Sequence, residues 1–476
     1  MTTEQQLPEG WKKTTLGAEF EWSSGGTPKS GVPAYYENGS IHWLNISDLN
    51  DGLISYAEKK ITELGLQESS AKIVPQGSVL IAIYGSIGKL GINTIPLATN
   101  QAICFTKKIP EYILNKFLFY YLLSIRNQLI SMGKGGTQQN ISQTVLKSVP
   151  FLYPTSKETQ QAIVNKIESL FDEIDEGIGR LKTAAQQIQQ YRQSLLKNAF
   201  NGELTKEWRS KHADALPSEN ELLAQIQTTR EQHHAQQLAD WQTAVSQWEQ
   251  NGKEGKKPSK PKSPTQAVKF EENVADLPSG WIWGKLSDLG ELARGKSKHR
   301  PRNDKKLFGG KYPFIQTGEV RAANRIIKKY EQTYSEFGLE QSKLWQKGTL
   351  CITIAANIAE TAFLGFDACF PDSIVGFSAS KAVLPEYIEL FIKSARTKIE
   401  SYAPATAQKN INLNTLENLI VPYCSLTEQN QIVAILENKL TACDQLAAEL
   451  AKQLKQAELL KQAVLKAAFS GNLLDK

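Results

Sequence analysis

Cysteine is scarce in this sequence, with five in 476 residues. Cys104, Cys351, Cys369, Cys424 and Cys443 form no CxxC pair, and their number is odd. That argues against a disulfide scaffold or a zinc ribbon and points to a reducing cytoplasm. Long hydrophobic runs are missing too. The most apolar stretches, 78–84 and 117–125, fall far short of the ~20 residues that span a bilayer. The segment 1–10 is polar and has no apolar core of signal type. The expectation is a soluble cytoplasmic protein with no membrane partner.

Catalytic signatures are equally thin. There is no GxxxxGK[ST] loop; Gly85-Ser-Ile-Gly-Lys89 resembles its end, but the first glycine is misplaced and Leu90 replaces Ser or Thr. There is no GxSxG elbow, no HExxH pair, and no Asn-Pro-Pro-Tyr or Asp-Pro-Pro-Tyr run. His233 and His234 are adjacent and have no partner at metal-ligand spacing, so they read as surface histidines. These absences favour a binding protein over an enzyme and predict no catalytic, cofactor or metal site in this chain.

What is present is a repeat. Leu7-Pro-Glu-Gly-Trp11 recurs as Leu277-Pro-Ser-Gly-Trp281, and Gln76-Gly-Ser-Val-Leu80 as Lys347-Gly-Thr-Leu-Cys351. Pro110-Glu-Tyr-Ile113 matches Pro385-Glu-Tyr-Ile388, Gln138-Gln-Asn-Ile141 matches Gln408-Lys-Asn-Ile411, and Val149-Pro150 matches Val421-Pro422. Residues 193–204 align with 462–473 at seven identical positions of twelve, ending in Ala-Phe-x-Gly-x-Leu. A period near 270 is too long for a solenoid and means two copies of one module.

Each copy opens with a globular portion, 1–155 and 277–424. Short apolar runs broken by Gly and Pro read as strands, such as 79–84 and 350–354. Helices are expected over 111–132 and 386–402, then strands over 149–153 and 420–423. Each copy closes with a long helix, 156–204 and 425–476. Ile163, Ile167, Leu170 and Ile174 begin one coiled-coil stripe; Leu436, Leu440, Cys443 and Leu446 begin the other. Gly177 and Gly179 are expected to weaken the first helix locally, and Gly202 and Gly471 to end the two. Neither stripe can be buried alone, so the helices are expected to pair antiparallel. The fold class is α+β: two pseudo-twofold-related globular domains joined by an antiparallel coiled coil. The insert 205–276 adds an amphipathic helix with Leu222, Ile226, Leu238, Trp241, Val245 and Trp248, then a basic, flexible Lys-Pro linker.

Charge is uneven. The chain carries +6, while 285–329 alone holds 13 Lys and Arg against 4 Asp and Glu. Arg294, Lys296, Lys298, Arg300 and Arg302, with Arg321 and Arg325, fit a surface that tracks phosphates and reads bases. Arg reads guanine and Asn or Gln reads adenine in the major groove. Three loops recur as DNA-contact candidates. The first holds Thr27 and Lys29, matched by 294–302. The second holds Tyr84, Ser86 and Lys89, matched by Asn357. The third holds Lys134, Gln138 and Gln139, matched by Lys409 and Asn410. Asn45 and Gln316 complete the candidate set.

The paired Leu-Pro-x-Gly-Trp openings, Phe370-Pro-Asp-Ser-Ile-Val-Gly-Phe377, the Gln-x-Asn-Ile segments, the Ala-Phe-x-Gly-x-Leu helix ends and Thr205-Lys-Glu-Trp-Arg209 resemble the specificity subunit of Type I restriction-modification systems. The resemblance covers nearly the whole chain. It implies two target-recognition domains that each read half of a split, asymmetric double-stranded DNA site, with the coiled coil as a ruler. It implies two methyltransferase subunits docked on this scaffold, with two restriction subunits as optional additions. It implies partners that use S-adenosylmethionine, ATP and Mg²⁺, and it leaves no cofactor expected in this chain. Ile163, Ile167, Phe200, Leu204, Leu436, Phe469 and Leu473 are the expected subunit-binding residues. Two alternatives stay open on the residues alone: a structural coiled-coil adaptor, and a self-contained methyltransferase or nuclease.

Overall fold

A computed structural model describes residues 7–133, 140–254, 257–261, 263, 276–403 and 410–474. The chain forms two compact units, Met1–Ala185 with Ala448–Lys476, and Gln186–Ala447. Among the described residues no helix is long and apolar enough to cross a membrane.

The first unit is built on a five-stranded sheet in the order Glu21–Ser24, Ile103–Lys108, Val79–Ala82, Leu90–Asn93, Gly52–Ile54. Its neighbours pair antiparallel except the last two, which run parallel. Val79–Ala82 is buried at every position, so this run is apolar on both faces rather than alternating. One face packs on the helix Asn115–Ser124, where Phe117, Leu118 and Leu122 join the core of Val79, Ile81 and Cys104. The other face carries Leu80, Ala82, Ile103 and Phe105 into a second core with Leu44 and Leu97. A short ladder, Trp11–Thr15 against Pro150–Pro154, closes the domain.

The second unit repeats this plan. Its sheet runs Gly290–Arg294, Ile374–Ala379, Leu350–Thr353, Thr361–Leu364, Ile326–Ile327, again with a parallel final pair. Ile282–Lys285 against Ile420–Tyr423 is the closing ladder, and Pro385–Ser401 is the packed helix.

The long helices are Lys157–Phe200 and Leu426–Phe469, 44 residues each, or about 66 Å. They run antiparallel. In the first unit Asp175 accepts from Lys461 at 2.6 Å, and Ile163, Val164 and Ile167 share a core with Val464, Leu465 and Ala468. In the second unit Arg192 pairs with Asp444, and Leu195 and Ala199 share a core with Ile432 and Leu436. Gly177 and Gly179 do not interrupt the helix, because its backbone bonding carries through them.

The repeated motifs have a reciprocal packing role. Phe469, at the end of the second helix, sits against Phe117 and Tyr121 of the first domain, with ring centroids 5.3 and 5.2 Å away. Phe200, at the end of the first helix, sits against Tyr387 and Phe391 at 5.2 and 5.3 Å. Gly471 and Gly202 turn the chain at φ +83° and +79°. A Cβ on either would lie 2.4 Å from Pro8 or 2.3 Å from Pro278, so the Leu-Pro-x-Gly-Trp opening of each domain packs on a helix-end glycine.

Three local expectations are corrected. The helix expected over 111–132 is two helices, Asn115–Ser124 and Arg126–Ser131, parted at Ile125. The Pro-Glu-Tyr-Ile matches are not equivalent positions: Pro385 starts a helix, whereas Pro110 precedes a turn. The equivalent amides are Leu114 and Leu384, each donating at 2.9 Å to a buried glutamine, Gln160 and Gln429. Lastly, residues 257–261 of the basic linker lie along the insert helix Glu219–Gln250. Trp241 donates to the Pro258 carbonyl at 3.0 Å, and Lys257 and Lys260 lie over Trp248 and Trp241.

Candidate nucleic-acid interface

The candidate residues gather where loops leave the ends of each five-stranded sheet. In the first domain the chain leaves Glu21–Ser24 through Gly25 and Gly26, whose amides donate to Ile103 and Thr99 carbonyls at 3.2 and 2.9 Å. A Cβ on Gly25 would lie 2.1 Å from the Thr99 carbonyl, so only glycine allows this approach. Thr27 then donates to Gln101, and Lys29 is exposed beyond it. Asn45 caps the short helical turn Ile46–Asp48 through a reciprocal capping box, and its side-chain oxygen accepts from Asn100 at 3.4 Å. Thr27, Asn45, Asn100 and Gln101 therefore form one polar corner.

The second domain builds the same corner from other residues. Gly295 donates to Ile374, and a Cβ there would lie 2.3 Å from the Phe370 carbonyl. Arg294 donates to the Asp372 carbonyl at 2.9 and 2.6 Å, and Arg302 meets the Asp372 carboxylate with both oxygens at 3.1 Å. Gln316 occupies the place of Asn45, with its own capping box to Glu319. Lys296, Lys298 and Arg300 are exposed on the same loop, and Arg321 is exposed on the helix Thr317–Ala322. The Lys306 amide and His299 hold the Asp304 carboxyl below its ordinary range, which keeps an anion inside this basic loop.

A tight turn follows the middle strand of each sheet. Tyr84, Ser86 and Lys89 lie on the first, with Tyr84 and Ser86 exposed and Lys89 half-buried. Asn357 lies on the second and is half-buried. Tyr84 bridges to Asn140, and Ala355 bridges to Asn410, so in both domains the second candidate loop meets the described end of the third. Lys134, Gln138, Gln139 and Lys409 lie outside the described residues.

Arg325 stands apart from the other basic candidates. It adopts φ +67° and is committed to Glu389, at 3.0 Å, and Glu437 of the long helix. Glu389 is buried, so this arginine clamps the domain edge to the helices rather than offering a free cation to phosphate. The expected subunit-binding residues are also inward. Ile163, Ile167, Phe200 and Leu436 are buried, and Leu204, Phe469 and Leu473 are half-buried against the same cores. They hold the domains on the helices. The exposed apolar side chains of the long helices are others, among them Tyr191, Leu446, Leu459 and Leu460.

Sequence reasoning missed Asn100, Gln101 and Asp372. Their signal was present: Thr99-Asn-Gln-Ala102 and Phe370-Pro-Asp-Ser373 are turns at equivalent points of the repeat. Among the described residues no group of three His, Cys, Asp or Glu could hold a metal ion.

Comparisons with known proteins agree with this architecture. The chain is similar to the specificity subunit of the Type I restriction enzyme EcoKI of Escherichia coli K12, at 23% identity over 98% of this chain and 90% of that protein. It is 28% identical to the EcoBI specificity subunit of Escherichia coli over 48% of this chain. That match spans about half of the relative, 49% of its length. A solved structure concerned with complex assembly and conformational transition of the type I R-M system shares the fold at TM-score 0.69 and 17% identity, covering 98% of this chain and 99% of that one. The HsdS subunit from Thermoanaerobacter tengcongensis shares it at TM-score 0.54 and 17% identity, with the same coverage. The family model described as the Type I restriction modification DNA specificity domain matches residues 8–182 and again residues 278–456. With two such matches along its length, the chain belongs to the Type I restriction-modification specificity family.

Proposed function

We propose that this chain is the non-catalytic DNA-recognition subunit of a cytoplasmic Type I restriction-modification complex. Each globular domain reads one half of a split duplex target. The observation that carries this reading is the polar corner built twice on one backbone plan with different side chains: Thr27, Asn45 and Gln101 in one domain, Arg294, Arg302, Gln316 and Asp372 in the other. A duplicated frame with unlike polar surfaces suits an asymmetric site whose halves are read separately. Exposed Lys29, Lys296, Lys298, Arg300 and Arg321 supply cations for phosphates beside those corners.

Methylation requires the target base to leave the stack, which falls to a methyltransferase partner using S-adenosylmethionine. Restriction subunits using ATP and Mg²⁺ add translocation and cleavage where they join. This chain holds the duplex and carries the partners. The test is co-expression with its methyltransferase partner, followed by sequencing of methylated adenines. A two-part motif separated by a fixed spacer is expected. A purified complex that methylates with no such motif overturns the proposal.

A further inference from the structure

Two turns and two arginines recur in these domains in a way the corner residues do not. The first turn, 84–89, links Val79–Ala82 to Leu90–Asn93; the second, 355–360, links Leu350–Thr353 to Thr361–Leu364. Their sequences, Tyr-Gly-Ser-Ile-Gly-Lys and Ala-Ala-Asn-Ile-Ala-Glu, share only the buried isoleucines Ile87 and Ile358. Their backbones nonetheless share most of their bonds, although the last amide donates to the Ser86 carbonyl in the first turn and to Thr353 Oγ1 in the second. Ser86 and Asn357 donate to Tyr84 and Ala355 carbonyls, each at 2.8 Å, and Gly88 and Ala359 donate to Ala82 and Thr353, each at 2.9 Å. Gly85 and Gly88 adopt φ +66° and +81°; Ala356 and Ala359 adopt +63° and +61°. Alanine pays steric strain in that region, so the second domain keeps the turn against local preference.

An arginine holds each turn, Arg126 from the short helix Arg126–Ser131 and Arg396 from the packed helix Pro385–Ser401. Arg126 donates from Nε to the Gly88 carbonyl at 2.7 Å, and its stem lies over Gly88, where a Cβ would meet Cγ at 2.8 Å. Its guanidinium also pairs with Asp51, which accepts from the Leu90 amide at 2.9 Å. Arg396 donates from Nη1 to Glu360 and from Nε to Glu400, each at 2.8 Å. The two arginines follow the equivalent residues Leu114 and Leu384 by the same number of positions. So the hold recurs while the presented residue changes, from Ser86 to Asn357.

We propose that Arg126 and Arg396 are positioning residues of the two recognition turns, each fixing its turn so that Ser86 or Asn357 meets a base edge in one orientation. This rests on the DNA-reading role proposed above. Asn offers adenine a two-bond match, and Ser pairs with donors or acceptors, so the aim of the turn decides which bases are accepted. A reading group needs its supports fixed to a fraction of an ångström. Partly exposed ion pairs contribute little to folding, which separates an aiming role from a stabilising one.

The experiment uses the full chain in complex with its methyltransferase partner. Arg126→Met and Arg396→Met are each compared with the unsubstituted complex for methylation at single-mismatch sites and for melting midpoint. Arg396→Met is expected to raise methylation at sites mismatched in one half by about tenfold, leaving the other half and the midpoint unchanged. Arg126→Met is expected to do the same for the opposite half. Glu360→Gln, which keeps the shape of the Arg396 pair, is expected to relax the same half as Arg396→Met, even where the methionine variant folds poorly. Undiminished discrimination in Glu360→Gln and the arginine variants, or equal loss at both halves, overturns the inference. Absence of any split motif in the unsubstituted complex overturns the proposed function instead.

Discussion

Glu428 is a charge with almost no water around it. Its carboxylate accepts from Thr205 Oγ1 at 2.7 Å, Arg209 Nε at 2.9 Å and Trp281 Nε1 at 2.9 Å, while Arg209 also lies over the Trp281 ring. A buried carboxylate is tolerable only when its lone pairs are filled and its charge is met, and both conditions hold here. The first unit places Thr159 at the corresponding position, beside the equivalent glutamine Gln160, so it has no such centre there. Removing the carboxylate leaves the Trp281 indole and Arg209 Nε without their acceptor, while Arg209 Nη2 keeps the Gly202 carbonyl at 2.6 Å. Glu428→Ala is therefore expected to destabilise the second unit by about 3–5 kcal/mol. Hydrogen exchange should quicken in Leu350–Thr353 and stay unchanged in Val79–Ala82. Unchanged exchange in Leu350–Thr353 would show that the Gly202 carbonyl and solvent suffice for Arg209.

Among the elements, the insert helix Glu219–Gln250 shows how one stripe serves two ends differently. Leu222 and Ile226 are buried in the core of the second unit, and Arg230 and His233 then pair with Asp288 and Glu291, each helix residue to its own carboxylate. Farther on, Trp241 and Trp248 are covered only partly, by residues of the Lys-Pro segment. Leu222→Ala is expected to cost about 2–5 kcal/mol in the second unit. Trp241→Ala is expected to stay near zero there; a comparable loss from both substitutions in denaturant unfolding would contradict this division. The sequence showed this helix, both long helices and the strand 420–423 plainly, because period and caps are local signals. It misjudged 111–132, since the break at Ile125 frees Arg126 to reach Gly88, a contact 38 residues away. It expected Gly177 and Gly179 to weaken the first long helix locally, though a helix held by packing absorbs their low propensity. The site was legible as loops but not as partnerships. That Thr27 meets Gln101, or that Arg325 is spent on Glu389 and Glu437, depends on strand pairing that no spacing announces.

Over the whole molecule, apolar residues of the long helices divide by burial into two sets with different work. Ile163, Ile167, Phe200 and Leu436 share cores with their domains, and their truncation would loosen the fold before it touched any partner. Leu446, Leu459 and Leu460 are 57%, 59% and 52% exposed, and Tyr191 is 48% exposed. Single exposed apolar residues are ordinary, but Leu459 and Leu460 are adjacent on a helix flanked by Lys455, Glu458 and Lys461. An apolar pair ringed by charge is the composition of an interface core with a polar rim. If methyltransferase subunits dock on the long helices, this pair is where the docking energy is available. Leu459→Ser with Leu460→Ser is expected to leave the melting midpoint of the free chain unchanged, because exposed substitutions rarely move stability by more than about 0.5 kcal/mol. The same double variant is expected to weaken capture of the methyltransferase partner by roughly tenfold or more, measured by titration. Ile167→Ala is the control of opposite sign, lowering stability first and capture only as a consequence. Undiminished capture by the double serine variant would move the docking surface off this part of the second long helix.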